Sequence, residues 1–419
     1  MPIDLIIRRV RIEGREGVHD IAVEAGRIAT IAPAVQGSAA VELDGDGRLA
    51  SPALVEPHIH LDKVGVLPLL PTNRSGTLAE AISLLHQTKR AASVDEVAER
   101  AGVVIRQAVL AGTTVLRSHV DVDTIGGLRP LEGVLRARAE HADLCDIQIV
   151  AFPQEGLERD EGAAELMEAA MEGGADLVGG MPHWELHRDA ARRHVEFCFE
   201  LAERHGADID MHVDEMDDPG SRTLELVIDA AEAHGYGGRV TAGHCCAMVV
   251  WEPEYADRII ARMAEVGVNL ISNPLSLVIQ GRNDPEPRRR GIARVKECLA
   301  AGVVCGTGQD CVNDAFYPFG AGDPLQVALL QAHAAQLTEP HEIVAVLGMV
   351  RESAARILRL TDYGLDEGAR ADVIVFDAET PLDALRLQAA RRWTIRSGRI
   401  VAENTRSAQL HRSSQPVAT

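Results

Sequence analysis

Lysine is nearly absent from this 419-residue chain: only Lys63, Lys89 and Lys296 occur, and arginine supplies the remaining positive charge. Acidic residues outnumber basic ones, 63 to 42, for a formal net charge of −21. The only compact basic run is Arg288-Arg289-Arg290. A protein that tracks a polyanion needs a basic footprint, so nucleic acid is not an expected partner. No apolar run reaches the ~18 residues of a membrane span. Met1-Pro2-Ile3-Asp4 has neither the basic nor the apolar region of a signal peptide. The seven cysteines, an odd number, include no C-x-x-C pair, which argues against a disulfide framework and for a reducing compartment. The expectation is a cytoplasmic protein that meets neither nucleic acid nor membrane.

What is present is ordinary globular material, 46% hydrophobic and 25% charged. At roughly 150 residues per domain the length suggests two or three domains, although a single α/β barrel can absorb most of it. The first fifty residues read as short strands broken by turns, at 4–12, 21–25, 27–32 and 40–44. The same texture returns at 372–377 and 393–404, punctuated by Gly364 and Gly368. Two all-β pieces at opposite ends predict one small β-sandwich domain built from both termini, residues 1–50 plus 365–405. The polar, Ser-rich stretch 406–419 reads as a disordered tail.

Between these pieces, short apolar strands alternate with helical stretches. Ser93-Val94-Asp95-Glu96 is a capping-box sequence, followed by Val97, Ala101, Val104, Ile105 and Ala108 at helical spacing. Gly112 stops that helix and a β-rich run covers 114–120. Eight strand candidates follow this logic: 54–57, 114–120, 147–152, 177–180, 208–212, 240–243, 268–272 and 303–306. They predict a TIM-like (β/α)8 barrel over 51–364. A doubly wound sheet is the rival, weakened because no G-x-G-x-x-G follows an early strand.

The chemistry-bearing residues fall at the ends of those strands, where active sites of this barrel gather. His58-Ile59-His60 ends the first strand, and residues i and i+2 project from one face. Two adjacent imidazoles suit a borderline-soft divalent metal; the bland alternative is a pair of buried histidines bonded to backbone. His212 follows the fifth strand, His244 the sixth, and Asp310 the eighth. Together these five point to a metal centre. Glu215 lies three residues after His212; from the residues alone it is equally a proton-transfer group or a helix N-terminal glutamate.

The whole pattern resembles the amidohydrolase superfamily, and more narrowly the bacterial cytosine deaminase family, over nearly the entire chain. The resemblance is carried by VEPHIHLD at 55–62, SGTL at 75–78, HVDV at 119–122, QIVAFPQEG at 148–156 and HVDE at 212–215. It continues with NPL at 273–275, QGR at 280–282, RRGIARVK at 289–296 and YPFG at 317–320. It implies one divalent ion per subunit, Fe2+ or Zn2+, held by His58, His60, His212 and Asp310. It makes Glu215 the proton shuttle and His244 the group steering the attacking hydroxide. It places Gln154 and the backbone of Leu78 on the ring's carbonyl and N–H edge, Phe316 against the ring, and Cys311 beside C5. The implied activity is hydrolytic deamination of a free cytosine-like base, cytosine or 5-methylcytosine, and a homo-oligomer is expected.

Two exclusions sharpen this reading. Binuclear members of the superfamily bridge two metals with a carbamylated lysine at the fourth strand, and no lysine occurs between Lys89 and Lys296. A mononuclear site remains, and ring-opening hydantoinase or dihydroorotase chemistry loses weight. The small zinc cytidine deaminases need a P-C-x-x-C motif, and no Pro-Cys dipeptide exists here. His183-Trp184 then reads as pocket wall or barrel filling, Cys245 and Cys246 as small buried residues, and His119 as a supporting group rather than a ligand. The chain departs from cytosine deaminases proper on the substrate side. Gln309-Asp310-Cys311 replaces His-Asp-Asp, Ser276-Leu277-Val278-Ile279 differs and is one residue shorter, and Phe316 stands where tryptophan is usual. The alternative is therefore an aminohydrolase of another small N-heterocycle: an s-triazine such as an N-alkylammelide, a pterin, or an isoguanine-type base. A catalytically dead oligomeric scaffold is disfavoured because every expected ligand is present.

Overall fold

The computed structural model describes residues 3–278 and 291–411. The basic run at 288–290, the QGR match at 280–282, the start of the RRGIARVK match, Ile279 and residues 412–419 lie outside the described residues. Residues 404–411 carry no regular structure.

Eight strands form a parallel sheet in chain order: Leu54–Ile59, Thr113–Asp121, Asp146–Phe152, Leu177–Gly180, Asp208–Val213, Val240–His244, Asn269–Ser272 and Cys305–Thr307. Helices cover its outer face, so the strands are buried on both sides and read as continuous rather than alternating apolar runs. Every residue of Thr113–Asp121, for example, is buried. The helix Val94–Leu110 begins at Ser93, whose capping box with Glu96 is formed; such a cap contributes about 1 kcal/mol. Its buried stripe includes Val97, Ala101, Val104, Ile105 and Ala108. Full burial of each larger aliphatic side chain stabilises by about 1.5–3 kcal/mol.

The barrel nearly closes between its first strand and the segment after its last. Ile59 and Asp310 form a parallel bridge, with His60 N donating to Asp310 O at 2.9 Å and Asp310 N donating to His58 O at 2.7 Å. Glu56, fully buried, accepts from His58 N at 3.0 Å and from Gln309 N at 2.9 Å through one carboxyl oxygen. Burial pushes this carboxyl up to about 8. Without it two buried N–H groups lose their acceptor, at about 1–3 kcal/mol each. Gly308 allows the approach: a Cβ there would lie 2.7 Å from His58 Cβ and 2.8 Å from His58 O. The seam that closes the barrel therefore also brings the first-strand histidines against Asp310.

A second eight-stranded sheet is built from both ends of the chain. Its order runs Arg399–Glu403, Arg391–Arg396, Val373–Phe376, Leu49–Pro52, Leu5–Ile12, His19–Glu24 and Arg27–Ala32, with Val41–Asp44 also pairing on Leu5–Ile12. The fold is thus a TIM-like barrel with a terminal β-sandwich. Two details differ from the sequence expectation. The run at 393–404 is a hairpin, turned at Ser397 and Gly398, both with positive φ (47° and 73°), as a two-residue primed turn requires. Leu49–Pro52, not expected as a strand, pairs with Val373–Phe376 and Leu5–Ile12; its ending in proline and its lack of alternation hide it. Arg351, buried, ties barrel to sheet through Ser51 Oγ at 3.2 Å and Glu13 Oε2 at 2.9 Å.

Candidate active site

Each of His58, His60, His212 and Asp310 offers one ligand atom within 4.8 Å of the others. His60 Nε2 lies 3.0 Å from His212 Nε2, and Asp310 Oδ1 lies 3.2 Å from His60 Nε2 and 3.6 Å from His58 Nε2. Both ring nitrogens of His58 and the Nδ1 atoms of His60 and His212 are buried without a hydrogen-bond partner. Burial, then Lys63, pushes His60 down to about 3; burial, then His244, holds His212 well below the ordinary range. Neutral imidazoles keep a free lone pair. Imidazole nitrogens of His58, His60 and His212 and one carboxylate oxygen, all within 4.8 Å of one another, fit a single divalent ion of the zinc or ferrous type.

Beneath this cluster His119 stacks at 4.0 Å between ring centroids on His58. Its Nε2 lies 3.3 Å from Asp210 Oδ1, and Arg117 Nη1 donates to Asp210 Oδ2 at 2.8 Å. His119 thus lies against the first histidine and, with His58 and Asp210, forms a second group of possible ligand atoms that shares His58.

Glu215 is positioned by its neighbour. Asp214 holds a left-handed backbone (φ 48°) and accepts hydrogen bonds from Ser221 Oγ, Thr223 N, Thr223 Oγ1 and Leu224 N at 2.7–2.9 Å. These bonds tie the strand end to the start of the helix Leu224–Ala233. Glu215 Oε1 then lies 3.5 Å from His244 Nδ1. Burial, then Asp310, pushes the Glu215 carboxyl well above the ordinary carboxylate range, which favours its proton-carrying form. His244 Nε2 accepts from Asn273 Nδ2 at 3.3 Å, and its Nδ1 is 3.4 Å from Ser276 Oγ. His244 (φ 67°) and Asp310 (φ 61°) share the left-handed conformation of Asp214. Strain of this kind costs about 1–3 kcal/mol per residue and clusters at functional sites.

Leu78, Gln154, Cys311 and Phe316 line the same pocket as His60, His212, Glu215 and Asp310. Leu78 is the first residue of the helix Leu78–Ala91, capped by the Thr77 side chain. Gln154 is buried, with Nε2 3.3 Å from Met181 Sδ. Cys311 and Phe316 belong to an apolar cluster with Phe152, Met181 and Leu275. Burial, then Asp310, pushes the Cys311 thiol well above its ordinary range, so it is a packing group rather than a thiolate. Cys245 and Cys246 are buried and free, and neither falls in a metal-holding cluster among the described residues. Trp184 packs on the pocket's apolar cluster, whereas His183 lines a separate open cavity beside Glu185 and Arg188.

Sequence reasoning missed Lys63 and Glu56. Lys63 lines the pocket, donating to Gln154 Oε1 at 2.8 Å and to Asp121 Oδ1 at 2.9 Å. The available signal was compositional. In a chain that writes almost every cation as arginine, a retained lysine marks a place where a compact charge is needed and a planar guanidinium does not fit. Glu56 carried only its proximity to His58.

Fold and pocket together define a barrel hydrolase with a possible divalent-metal site. The chain belongs to the amidohydrolase family, whose model matches residues 41–402. It is similar to 5-methylcytosine deaminase from Klebsiella pneumoniae, solved with phosphonocytosine: 38% identity, TM-score 0.92, covering 97% of this chain and 100% of that one. It is 29% identical over 414 residues to an N-isopropylammelide isopropyl amidohydrolase of Pseudomonas sp. (strain ADP), covering 96% and 98% of the two chains. It is 30% identical over 390 residues to a pterin deaminase of Rhizobium rhizogenes (strain K84 / ATCC BAA-868), covering 91% and 87%. The protein is a hydrolase acting on C–N bonds. No helix among the described residues is long and apolar enough to cross a membrane.

Proposed function

We propose that the protein is a metal-dependent deaminase of a free cytosine-like base, converting cytosine or 5-methylcytosine to the uracil or thymine product and ammonia. The observation that carries this reading is the geometry: buried Glu215 and the apolar edge at Cys311 share one pocket with His60, His212 and Asp310 of the four-residue cluster. The similarity to a 5-methylcytosine deaminase across nearly the whole chain supports it.

His58, His60, His212 and Asp310 would hold the ion, iron or zinc. When bound it supplies Lewis acidity and makes water a competent nucleophile at neutral pH. Glu215 holds the proton that the ring nitrogen must receive as water adds to the carbon bearing the amino group. Its carboxylate then takes a proton from the added hydroxyl and passes it to the amino nitrogen, so that the C–N bond breaks, ammonia departs and the carbonyl forms. His244, fixed by Asn273 and Ser276, orients the attacking water. Gln154 and the Leu78 backbone N–H bind the carbonyl edge, and Phe316 lies against the ring. The similarity to the ammelide hydrolase and the pterin deaminase supports a second reading, in which the same chemistry acts on an s-triazine or pterin.

Cys311 supplies the test between close pyrimidines. A 5-methyl group seated in the apolar gap beside it gains about 0.8 kcal/mol from burial, within the ~1–3 kcal/mol that such a pocket edge can discriminate. We expect ammonia release from 5-methylcytosine with kcat/KM comparable to or above that for cytosine. Cys311→Asp reverses the order by restoring bulk and charge, and Cys311→Ala keeps 5-methylcytosine activity because the thiol does not react. An unchanged order in the aspartate variant would show that Cys311 does not border C5.

A further inference from the structure

Two side chains with no exposed surface stand next to the wall that carries Gln154: Glu185, just after the short helix Pro182–Trp184, and His194, on the helix Arg188–His205. His194 Nδ1 lies 2.7 Å from Glu185 Oε1, and Met181 N donates to His194 Nε2 at 2.9 Å. A backbone N–H only donates, so Nε2 is the bare nitrogen and Nδ1 carries the hydrogen given to Glu185. The same Oε1 accepts from Leu157 N at 2.6 Å and from Glu158 N at 3.3 Å. Burial opposes the charge of Glu185, but His194 and these backbone donors hold its carboxyl below the ordinary range. One oxygen thus joins the segment after the fourth strand, through His194 and Met181, to the loop that leaves the third.

Gln154 sits between these two anchored segments. It precedes Leu157 on the same loop, and its Nε2 is 3.3 Å from Met181 Sδ. On the other side Lys63 Nζ donates to its Oε1 at 2.8 Å. A primary amide has two donor hydrogens and two acceptor lone pairs. The protein occupies one of each, and one of each is left for the pocket that Gln154 lines. A donor and an acceptor side by side match a ring carbonyl next to a ring N–H, the edge of a neutral cytosine-like base. The amide presents that pair only while Met181 and the loop to Glu158 stay in place.

Resting on the deaminase reading, we propose that Glu185 and His194 are positioning residues that set the Gln154 amide for the ring's carbonyl and N–H edge. Neither lines the pocket. Glu185 fixes the loop, and His194 fixes the backbone from which the Met181 thioether projects. Their contribution is a pair of acceptors, Oε1 and Nε2, and no proton given to the reaction.

The test is a double-mutant cycle on the metal-loaded enzyme. It is read as kcat and KM for whichever of cytosine, 5-methylcytosine, a pterin and an aminotriazine turns over fastest. Glu185→Leu removes the acceptor and is expected to lower kcat/KM by about ten- to a hundredfold, as misplacing a binding group does. The loss should fall mainly on KM, with metal content unchanged. Glu185→Gln keeps an oxygen for the same three donors and should retain most of the wild-type value. In the Gln154→Ala background, Glu185→Leu should cost no more than about threefold further, because the group it positions is gone. Equal losses with and without Gln154, or a loss confined to kcat, would overturn the proposal, as would a Gln154→Ala variant with wild-type KM. If Glu185→Leu does not fold, His194→Phe keeps a ring in place, removes the acceptor for Met181 N and enters the same cycle. A best substrate that is not a pyrimidine removes the cytosine reading, while the coupling between Glu185 and Gln154 still decides this one.

Discussion

Replacing Glu215 with glutamine lowers kcat by about 10²–10⁴-fold, the usual worth of a general acid–base group. Glutamine preserves the size and hydrogen-bonding shape of the protonated carboxyl but has no proton to transfer. The structure supports a specific effect on the chemical step. Glu215 lies 3.5 Å from His244 and its carboxyl is pushed up by burial and by Asp310, whereas the loop is anchored by Asp214 rather than by Glu215. Thermal stability and metal content should therefore match the wild type. Steady-state kinetics on the variant check this, and retention of more than about a tenth of the rate would mean that another group moves the proton.

The other large effect is metal removal. Chelation should abolish ammonia release, and added Fe2+, Zn2+ or Mn2+ should restore it, with elemental analysis giving one ion per chain. His58, His60, His212 and Asp310 each offer one ligand atom to a cluster of four. No lysine exists between Lys89 and Lys296 to bridge a second ion at the fourth strand. Two bridged ions per chain would contradict the mononuclear reading. His60→Ala should lower metal occupancy while the barrel, held at its seam by Glu56, remains folded.

The site was legible in the sequence wherever position along a strand determines where a side chain goes. His58 and His60 share a face because strands alternate, and His212, His244 and Asp310 fall at strand ends, where this barrel gathers its chemistry. The structure brings His58, His60, His212 and Asp310 into one cluster and sets His244 beside His212 and Glu215. What stayed hidden was set by contacts remote in sequence. Glu56 looks like a lone acid within a strand until the barrel closes and places Gln309 N 2.9 Å away. Lys63 looks like a loop cation until Asp121 and Gln154, from the second strand and the third-strand loop, meet its ammonium. In the small sheet, Leu49–Pro52 has no period of its own and is a strand only because Val373–Phe376 and Leu5–Ile12 flank it. The fold of the 393–404 segment turned on two consecutive positive-φ residues, Ser397 and Gly398, a feature of local backbone that a β-rich composition does not reveal.

The measurement that bears most directly on the central claim is ammonia release by the metal-loaded enzyme from free cytosine, 5-methylcytosine, a pterin and an aminotriazine of the ammelide type, with amine release followed for an N-alkylammelide. The account predicts release from cytosine or 5-methylcytosine with the highest kcat/KM of the set, lost on chelation and in Glu215→Gln. Turnover of a triazine or pterin with no release from either pyrimidine would contradict the cytosine reading and leave only the hydrolytic C–N chemistry.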